Sequence, residues 1–150
     1  MQKRGDKEPW MDPAEYGRSL KGVGVNLLVS DVARSVAFLT GVLGLDEVYS
    51  DEDFAVLRHA GHDVMLHADH TYLDEAGEAN PMLTWFAGAD VRGAGVELRL
   101  YGIDPDAAEA RARACGVQVL MPAADKPHGL RECYLVDPDG YIWVPGAALN

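Results

Sequence analysis

The segment His67-Ala68-Asp69-His70 is the densest group of side chains that could do chemistry. Histidine titrates near neutral pH, so His67 could act as a general base, a metal ligand or a hydrogen-bonding group, with Asp69 orienting it. Alternatively, a neighbouring strand satisfies His67, and Asp69 and His70 begin a solvated loop. The sequence leaves both interpretations open, and it makes His67 a candidate catalytic and ligand-binding residue.

Two further groups have polar side chains at alternate positions. Glu97, Arg99 and Tyr101 form one group, and Glu132 and Tyr134 form the other. In a strand, residues two apart lie on one face, so each group is expected to present its side chains together. If Glu97 and Arg99 are a buried pair, they would bind a polar group of a ligand. If they are an exposed pair, they would only neutralise each other. A tyrosine offers an apolar ring and a hydroxyl, which suits small-molecule recognition.

These residues belong to a pattern that occurs twice. Gly24-Val25-Asn26-Leu27 begins a strand-like run followed by a helix that ends before Gly44, and Gly95-Val96-Glu97-Leu98 begins a similar run whose helix ends before Gly116. Alternation predicts further strands, near residues 46–50, 53–59, 63–69, 117–120, 131–136 and 140–145. The predicted fold class is α+β, with two βαβββ modules forming a curved mixed sheet around a trough and helices on the outer face.

Alternation also predicts which side chains line the trough, because the helices cover the other face of the sheet. The predicted ligand-binding residues are Asn26, His67, Asp69, Glu97, Arg99, Tyr101, Glu132 and Tyr134. The opposite set is predicted to be core and includes Val64, Leu66, Val96, Leu98, Leu100, Cys133, Leu135 and Trp143. A loop containing His128 could cover the mouth of the trough.

The composition limits the partners. The chain has 24 acidic and 13 basic side chains and a formal net charge of −11, which disfavours nucleic acid because phosphate binding needs clustered Lys and Arg. Such a surface would attract a cationic small molecule, although solubility explains it equally well. No apolar run approaches the ~18 residues of a membrane span, and no leader is evident, so a cytoplasmic protein is expected. Cys115 and Cys133 are expected to be free, buried thiols.

Residues 1–20 are charged and interrupted by Pro9 and Pro13, which predicts an N-terminal arm. Trp10, Met11 and Tyr16 could anchor that arm to the domain or to a second subunit. Residues 21–150 are predicted to form a single domain, with module one at about 23–70, a connector at 71–93 and module two at about 94–147. Trp85 and Phe86, within the connector, could edge the pocket or fill a dimer contact, but core filling is the expectation.

The run from Leu28 to Phe38, closing at Val42-Leu43-Gly44-Leu45, resembles the first module of the vicinal oxygen chelate superfamily. The second module is echoed by Gly95-Val96-Glu97-Leu98, Asp104-Pro105-Asp106-Ala107-Ala108 and Asp137-Pro138-Asp139-Gly140-Tyr141. That superfamily includes glyoxalase I, extradiol dioxygenases, fosfomycin-resistance enzymes and bleomycin-resistance proteins. The resemblance covers residues 23–146 and is specific for fold, because one fold hosts many activities.

Metal-dependent members of this superfamily carry four ligands, and the resemblance places those positions at Gly24, His67, Glu97 and Val144. If two residues are inserted near Gly102, the third position becomes Gly95 instead. Glycine and valine have no side-chain donor, so only His67 and Glu97 are competent ligands. Stable catalytic sites have three protein ligands, and the pattern therefore resembles the metal-free bleomycin-resistance branch.

The sequence thus predicts a homodimeric protein that binds a modest-sized, cationic or aromatic organic ligand without a cofactor. The alternative is a metal-dependent lyase, isomerase or dioxygenase in which His67 and Glu97, aided by Glu132 or Asp69, hold Zn, Ni, Fe or Mn. A third hypothesis is metal-free acid–base chemistry by His67 with Glu97. Whether the chain is an enzyme stays open at this point.

Overall fold

The structure is a computed structural model that describes residues 1–87, 89 and 91–150. It divides into two compact units, the first formed by Met1–Val36 and Leu45–Ala87, the second by Ala37–Gly44 and Gly88–Asn150. Two positions of the predicted connector, Gly88 and Asp90, lie outside the described residues. None of the helices in the described ranges is both long and apolar enough to cross a membrane.

Each unit contains one four-stranded mixed sheet. The elements in chain order are α1 (Pro13–Ser19), β1 (Val25–Val29), α2 (Val32–Gly41), β2 (Asp46–Ser50), β3 (Phe54–His59), β4 (His62–Ala68), α3 (Pro81–Trp85), β5 (Glu97–Tyr101), α4 (Pro105–Ala114), β6 (Gln118–Asp125), β7 (Leu130–Val136) and β8 (Ile142–Ala148). The strand orders are β1-β4-β3-β2 and β5-β8-β7-β6. In each sheet, the first strand in chain order pairs in parallel with the fourth, β1 with β4 and β5 with β8, and the other neighbouring strands pair antiparallel. The predicted α+β fold with two βαβββ modules is confirmed.

In the first sheet, the observed register confirms the predicted alternation. Asn26 pairs with Met65 and Leu28 pairs with His67, so these four side chains share one face. Val64 and Leu66 alternate with them and are buried. Asp69 was expected at the end of the same strand, but β4 stops at Ala68 and a short 3-10 helix, Asp69–Tyr72, follows.

The second sheet confirms most of its predicted core, but Leu98 is only half-buried and Val96 is exposed. Leu100, Cys133, Leu135 and Trp143 are buried. Val96 was expected to join them, yet it is 51 % exposed because β5 begins one residue later, at Glu97.

Two expectations for buried side chains elsewhere were wrong. Trp85 was expected to fill the core but is 89 % exposed, because α3 ends there in a connector that offers it no sheet to pack on. Cys115 is exposed at the end of α4, whereas Cys133 is buried. Both thiols are free, as predicted.

The signals that begin and end the two main helices act as predicted. The Asp31 carboxylate accepts a hydrogen bond from the Arg34 backbone N–H at 2.9 Å. Asp104 caps α4 in the same way. Gly44 and Gly116 follow the helix ends with φ of 74° and 71°, a conformation that glycine adopts without a steric penalty. Cys133 Sγ donates to the Pro105 carbonyl at 3.4 Å, which places α4 against β7.

The N-terminal arm, residues 1–20, lies on the first unit at points spread along its length. The Gln2 backbone N–H donates to the Leu73 carbonyl at 3.0 Å. The Lys7 ammonium donates to the Ser50 carbonyl at 2.9 Å. Beyond these, α1 is held by Tyr16, whose hydroxyl donates to Asp63 at 3.1 Å. The arm is therefore anchored to its own chain, one of the two predicted alternatives.

Asp53 is the most heavily used of the anchors. Its carboxylate accepts from the Arg4 backbone N–H at 2.9 and 3.1 Å and from the Gly5 N–H at 3.1 Å. His70 Nε2 lies 2.7 Å from the same group, so the solvated-loop interpretation of His70 was wrong. Burial raises the pKa of Asp53, but the hydrogen bonds from His70, Arg4 and Gly5 outweigh it and hold that pKa below 3.8. The ionised carboxylate thus stabilises the docked arm.

We expect Asp53→Asn to lower the free energy of unfolding at pH 7 by about 1–3 kcal/mol, since an amide replaces a charged acceptor of several hydrogen bonds. Because the folded pKa of Asp53 is lowered, its contribution is present above the usual aspartate range and is lost as pH falls through the folded value. Urea unfolding at pH 7 and pH 3 should show the difference from wild type shrinking in acid.

Glu52→Gln is the matched control, since it removes one negative charge from the neighbouring, exposed position. It should leave the unfolding midpoint unchanged. An Asp53→Asn variant as stable as wild type at pH 7 would contradict the assignment.

Candidate functional site

Six aromatic rings form a row along the first unit, here called the aromatic row. Their order is Tyr16, Trp10, Tyr49, Phe54, His67 and Tyr72. Consecutive ring centroids are 4.9, 5.2, 6.4, 4.6 and 5.9 Å apart. These separations fall within the range in which aromatic rings attract one another. The rings of the row are therefore in contact one after another, with Tyr16 and Tyr49 buried in the core.

Strand pairing places the middle of the aromatic row on one sheet face. Phe54 pairs directly with His67, and Tyr49 pairs with Val56, which in turn pairs with Met65. Directly paired residues of neighbouring strands point to the same side of a sheet. The remaining rings come from outside the strands: Trp10 and Tyr16 from the arm, and Tyr72 from the 3-10 helix.

Two cavities adjoin the aromatic row. The first has a volume of about 400 Å³, and five of the six rings, together with Met65, line it. The second has a volume of about 540 Å³ and is lined by His67 and Tyr72 together with Asp74, Glu78 and Asn80. Met1, His67 and Thr71 line both cavities, so the two meet at His67. Their volumes are in the range that accommodates small organic ligands.

His67 is held by a chain of two hydrogen bonds. Its Nδ1 lies 2.6 Å from Asn26 Oδ1, and Asn26 Nδ2 donates to the Tyr72 hydroxyl at 3.1 Å. Since the Asn26 oxygen is an acceptor, Nδ1 must carry the proton, which leaves Nε2 as a lone-pair acceptor. Burial lowers the pKa of His67, which favours the neutral ring. Among the described residues, none forms a hydrogen bond to Nε2.

The second cavity is acidic. Asp74 and Glu78 line it, and none of its lining residues in the described ranges is Lys or Arg. The Asp74 carboxylate accepts from the backbone N–H groups of Ala76 and Glu78, each at 2.9 Å, which fixes the loop that carries both acids. A cationic group would be attracted to this wall.

The second unit holds a separate cluster around Arg99. The guanidinium donates to Glu97 at 2.7 Å and to Tyr101 at 3.3 Å, and it also contacts the Glu132 carboxylate. The hydrogen bonds to Glu97 and Tyr101 raise the pKa of Arg99. His128 Nε2 approaches Glu132 at 3.1 Å. The Arg99 guanidinium therefore faces the carboxylates of both Glu97 and Glu132.

Glu132 is the buried member of this cluster. Its side chain is 1 % exposed, and its Oε2 accepts no hydrogen bond from the described residues. Gly146 makes room for it, because a Cβ there would lie 3.2 Å from Glu132 Cγ. Such a buried charge needs its partner, so Arg99 holds the carboxylate in place.

The structure thus gathers the predicted site residues into two groups. Asn26 and His67 meet in the first unit, whereas Glu97, Tyr101, Glu132 and Tyr134 meet around the Arg99 guanidinium in the second. Tyr134 also lies under the Lys126 ammonium, 5.5 Å from its ring centroid, and Asp69 begins the 3-10 helix.

Sequence reasoning missed five of the six members of the aromatic row as site residues. Extending the alternation rule to β2 and β3 would have placed Tyr49 and Phe54 on the face of His67. For Tyr72, in the non-periodic connector, no such signal exists. Trp10 and Tyr16 were recognised only as anchors of the arm.

The strand registers allow the two modules to be aligned at the positions where metal-dependent relatives bind their metal ion. His67 pairs with Leu28, and Val144 pairs with Arg99. Four residues before these partners stand Gly24 and Gly95. The registers therefore favour the second of the two alignments, in which Gly95, rather than Glu97, is the counterpart of Gly24.

In that alignment, His67 alone has a side-chain donor, since the other three positions are Gly24, Gly95 and Val144. Glu97 becomes the counterpart of Asn26 and is paired with Arg99 at 2.7 Å. No group of three or more His, Cys, Asp or Glu side chains in the described ranges is arranged to hold a metal ion. The residues present do not fit the metal site of the metal-dependent relatives.

Comparison with known structures supports the same fold. A glyoxalase-related enzyme from Fulvimarina pelagi is 23% identical with a TM-score of 0.64, and the match covers 85% of this chain and 88% of that one. A glyoxalase/bleomycin resistance protein/dioxygenase from Nocardioides is 24% identical with a TM-score of 0.59, covering 91% and 93%. The fosfomycin resistance protein FosX from Listeria monocytogenes is 18% identical with a TM-score of 0.59, covering 86% and 94%.

Among curated proteins, no sequence matches the chain. The family model described as Glyoxalase/Bleomycin resistance protein/Dioxygenase superfamily matches residues 23–144, and it confirms the resemblance found from the sequence. The chain belongs to the glyoxalase/bleomycin resistance protein/dioxygenase superfamily.

Proposed function

We propose that this chain is a small-molecule-binding protein that holds, without a metal ion, a modest-sized organic ligand with an aromatic body and a cationic group. One observation carries the proposal: the aromatic row runs beside two adjoining cavities, one with five aromatic rings in its lining and the other with the carboxylates of Asp74 and Glu78. A ligand that spans the junction at His67 would contact both walls.

The first cavity suits the aromatic part of the ligand. Trp10, Tyr49 and Phe54 line it, and Met65 adds a flexible apolar side chain. Aromatic pairs contribute about 0.5–1.5 kcal/mol beyond the area that they bury, so several rings give useful affinity. Methionine adapts its shape to different ligands.

The second cavity suits the cationic part. Asp74 and Glu78 supply negative charge, and the neutral His67 adds none of the opposite sign. The chain as a whole carries a formal charge of −11, which raises the local concentration of cations. The ring of Tyr72 can also face a cation, because aromatic faces attract positive charge.

We expect isothermal titration of the planar cation proflavine, in buffer with EDTA, to give measurable heat at one site. Glu78→Gln should weaken binding about two- to fivefold, the size expected for one partly exposed charge, and high salt should reduce this difference. Glu75→Gln, on an exposed residue of the same loop that does not line the cavity, is the matched control. Absence of heat for proflavine and for other planar cations would contradict the proposal.

A metal-independent site should also be evident in the composition of the purified protein. We expect elemental analysis to find Ni, Zn, Fe and Mn far below one ion per chain after dialysis, because His67 is the single donor at the family's four metal positions. Near-stoichiometric metal that survives dialysis would instead favour a metal-dependent lyase, isomerase or dioxygenase.

A second candidate function is metal-independent acid–base catalysis at His67. The observation that favours it is the neutral ring, oriented through Nδ1 by Asn26 and presenting Nε2 where the two cavities meet. Such a ring can accept a proton from an O–H or N–H group of a bound ligand. Binding and catalysis would use the same cavity in the two proposals.

The state of His67 can be measured directly by nitrogen NMR. We expect the Nδ1–H tautomer and a titration midpoint below 6.5, since burial lowers the pKa. Free imidazole rings favour the Nε2–H tautomer, so Asn26→Ala should shift His67 toward that form. An Nε2–H tautomer in the wild-type protein would contradict the assigned hydrogen-bond chain and remove the support for catalysis at Nε2.

A further inference from the structure

We propose that the N-terminal arm forms a wall of the ligand site and that Trp10 makes the site selective for planar rings. This inference rests on the proposed function. The arm lies before the region that the family model matches, residues 23–144, so the wall is not part of what that model describes. Selectivity would then differ between this chain and relatives without such an arm.

The arm supplies most of the lining of the first cavity. Eleven of its 18 lining residues, from Met1 to Leu20, belong to the arm, and the rest come from the first sheet, the turn between β2 and β3, and the 3-10 helix. Trp10 provides the largest flat surface among them. The residue is 36 % exposed, so part of it stays open for contact with a ligand.

Trp10 is held in place by rings on two sides. Its centroid lies 4.9 Å from that of Tyr16 at an edge-to-face angle of 66° and 5.2 Å from that of Tyr49. Pro9 and Pro13 flank it and fix the backbone φ at those positions. A side chain restricted in this way loses little entropy when a ligand stacks on it.

Three attachments keep the arm over the cavity. The Asp53 carboxylate holds the backbone at Arg4 and Gly5. Tyr49 donates its hydroxyl to the Lys7 carbonyl at 2.9 Å, and the Lys7 ammonium lies 5.0 Å from the Tyr49 ring. Tyr16 then donates to Asp63, which also accepts from Arg58. The segment that carries Trp10 lies between the second and third attachments, so its position is fixed from both ends.

The chemical class of the ligand follows from these walls. Trp10 of the arm lines the same cavity as Phe54 and Met65 of the sheet, and a flat ring contacts such surfaces over most of its area. A compact aliphatic cage of equal charge contacts them at few points. The site should therefore prefer planar aromatic cations to non-planar cations.

The experiment compares two probes, proflavine and the non-planar cation 1-aminoadamantane, by titration calorimetry of the full chain. We expect Trp10→Ala to weaken proflavine binding about tenfold, which corresponds to one lost aromatic contact, and to change 1-aminoadamantane binding less than twofold. Trp10→Phe should recover part of the affinity. Trp85→Ala, on an exposed tryptophan that lines neither cavity, is the control and should bind both probes as wild type does.

Arm docking is checked independently by limited trypsin digestion, since Lys3, Arg4 and Lys7 are cleavage sites within the arm. Bound proflavine should slow cleavage there in the wild type and should not do so in Trp10→Ala. If Trp10→Ala binds proflavine as tightly as wild type, the inference is overturned while the proposed function stands. If the wild type binds neither probe, the proposed function fails, and the inference fails with it.

Discussion

The docking of residues 1–20 depends on one buried carboxylate. Asp53 stands at the turn before β3 and accepts hydrogen bonds from the arm, while His70 approaches it from the 3-10 helix. It therefore joins three segments that are far apart in sequence. The arm brings Trp10 and Tyr16 to the aromatic row, and the 3-10 helix brings Tyr72. It thereby links the arm and the 3-10 helix, which supply walls of the two cavities, to the turn before β3.

The two units use the same fold for different electrostatic arrangements. In the first, the polar residue at the second strand position, Asn26, binds a neutral histidine and leaves its Nε2 available. In the second, the corresponding residue is Glu97, and it is neutralised by Arg99. A fixed guanidinium thus faces the acidic side chains of the second unit. This arrangement explains how a member of a family with many metal-dependent enzymes can present a site built on aromatic and hydrogen-bonding contacts.

Much of the fold was predictable, because it depends on local signals. Alternation identified β1 and β4, and the cap residues Asp31 and Asp104 marked the helices. Local rules failed where a strand begins later than expected and where a residue lies in the connector between the two modules. Val96 precedes β5, and Trp85 ends a short helix in the connector. Periodicity carries no information at such places.

The site was predictable only in part for a related reason. Asn26 and His67 lie on one face of the first sheet and were identified from the alternation of residues along their strands. The hydrogen bond from Asn26 to Tyr72, in contrast, joins residues 46 positions apart, and Tyr72 lies outside any strand. Arm docking likewise depends on contacts between distant segments, such as Arg4 with Asp53. The cytoplasmic location and the homodimer stay predictions.

The most direct test of the account is a crystal structure of the chain with proflavine, recorded with anomalous data. The account predicts the ring against Trp10 and Phe54, an amino group directed toward Asp74 and Glu78, and no metal at His67. Proflavine bound away from the aromatic row, or a metal ion held by His67 and at least two other protein ligands, would contradict it.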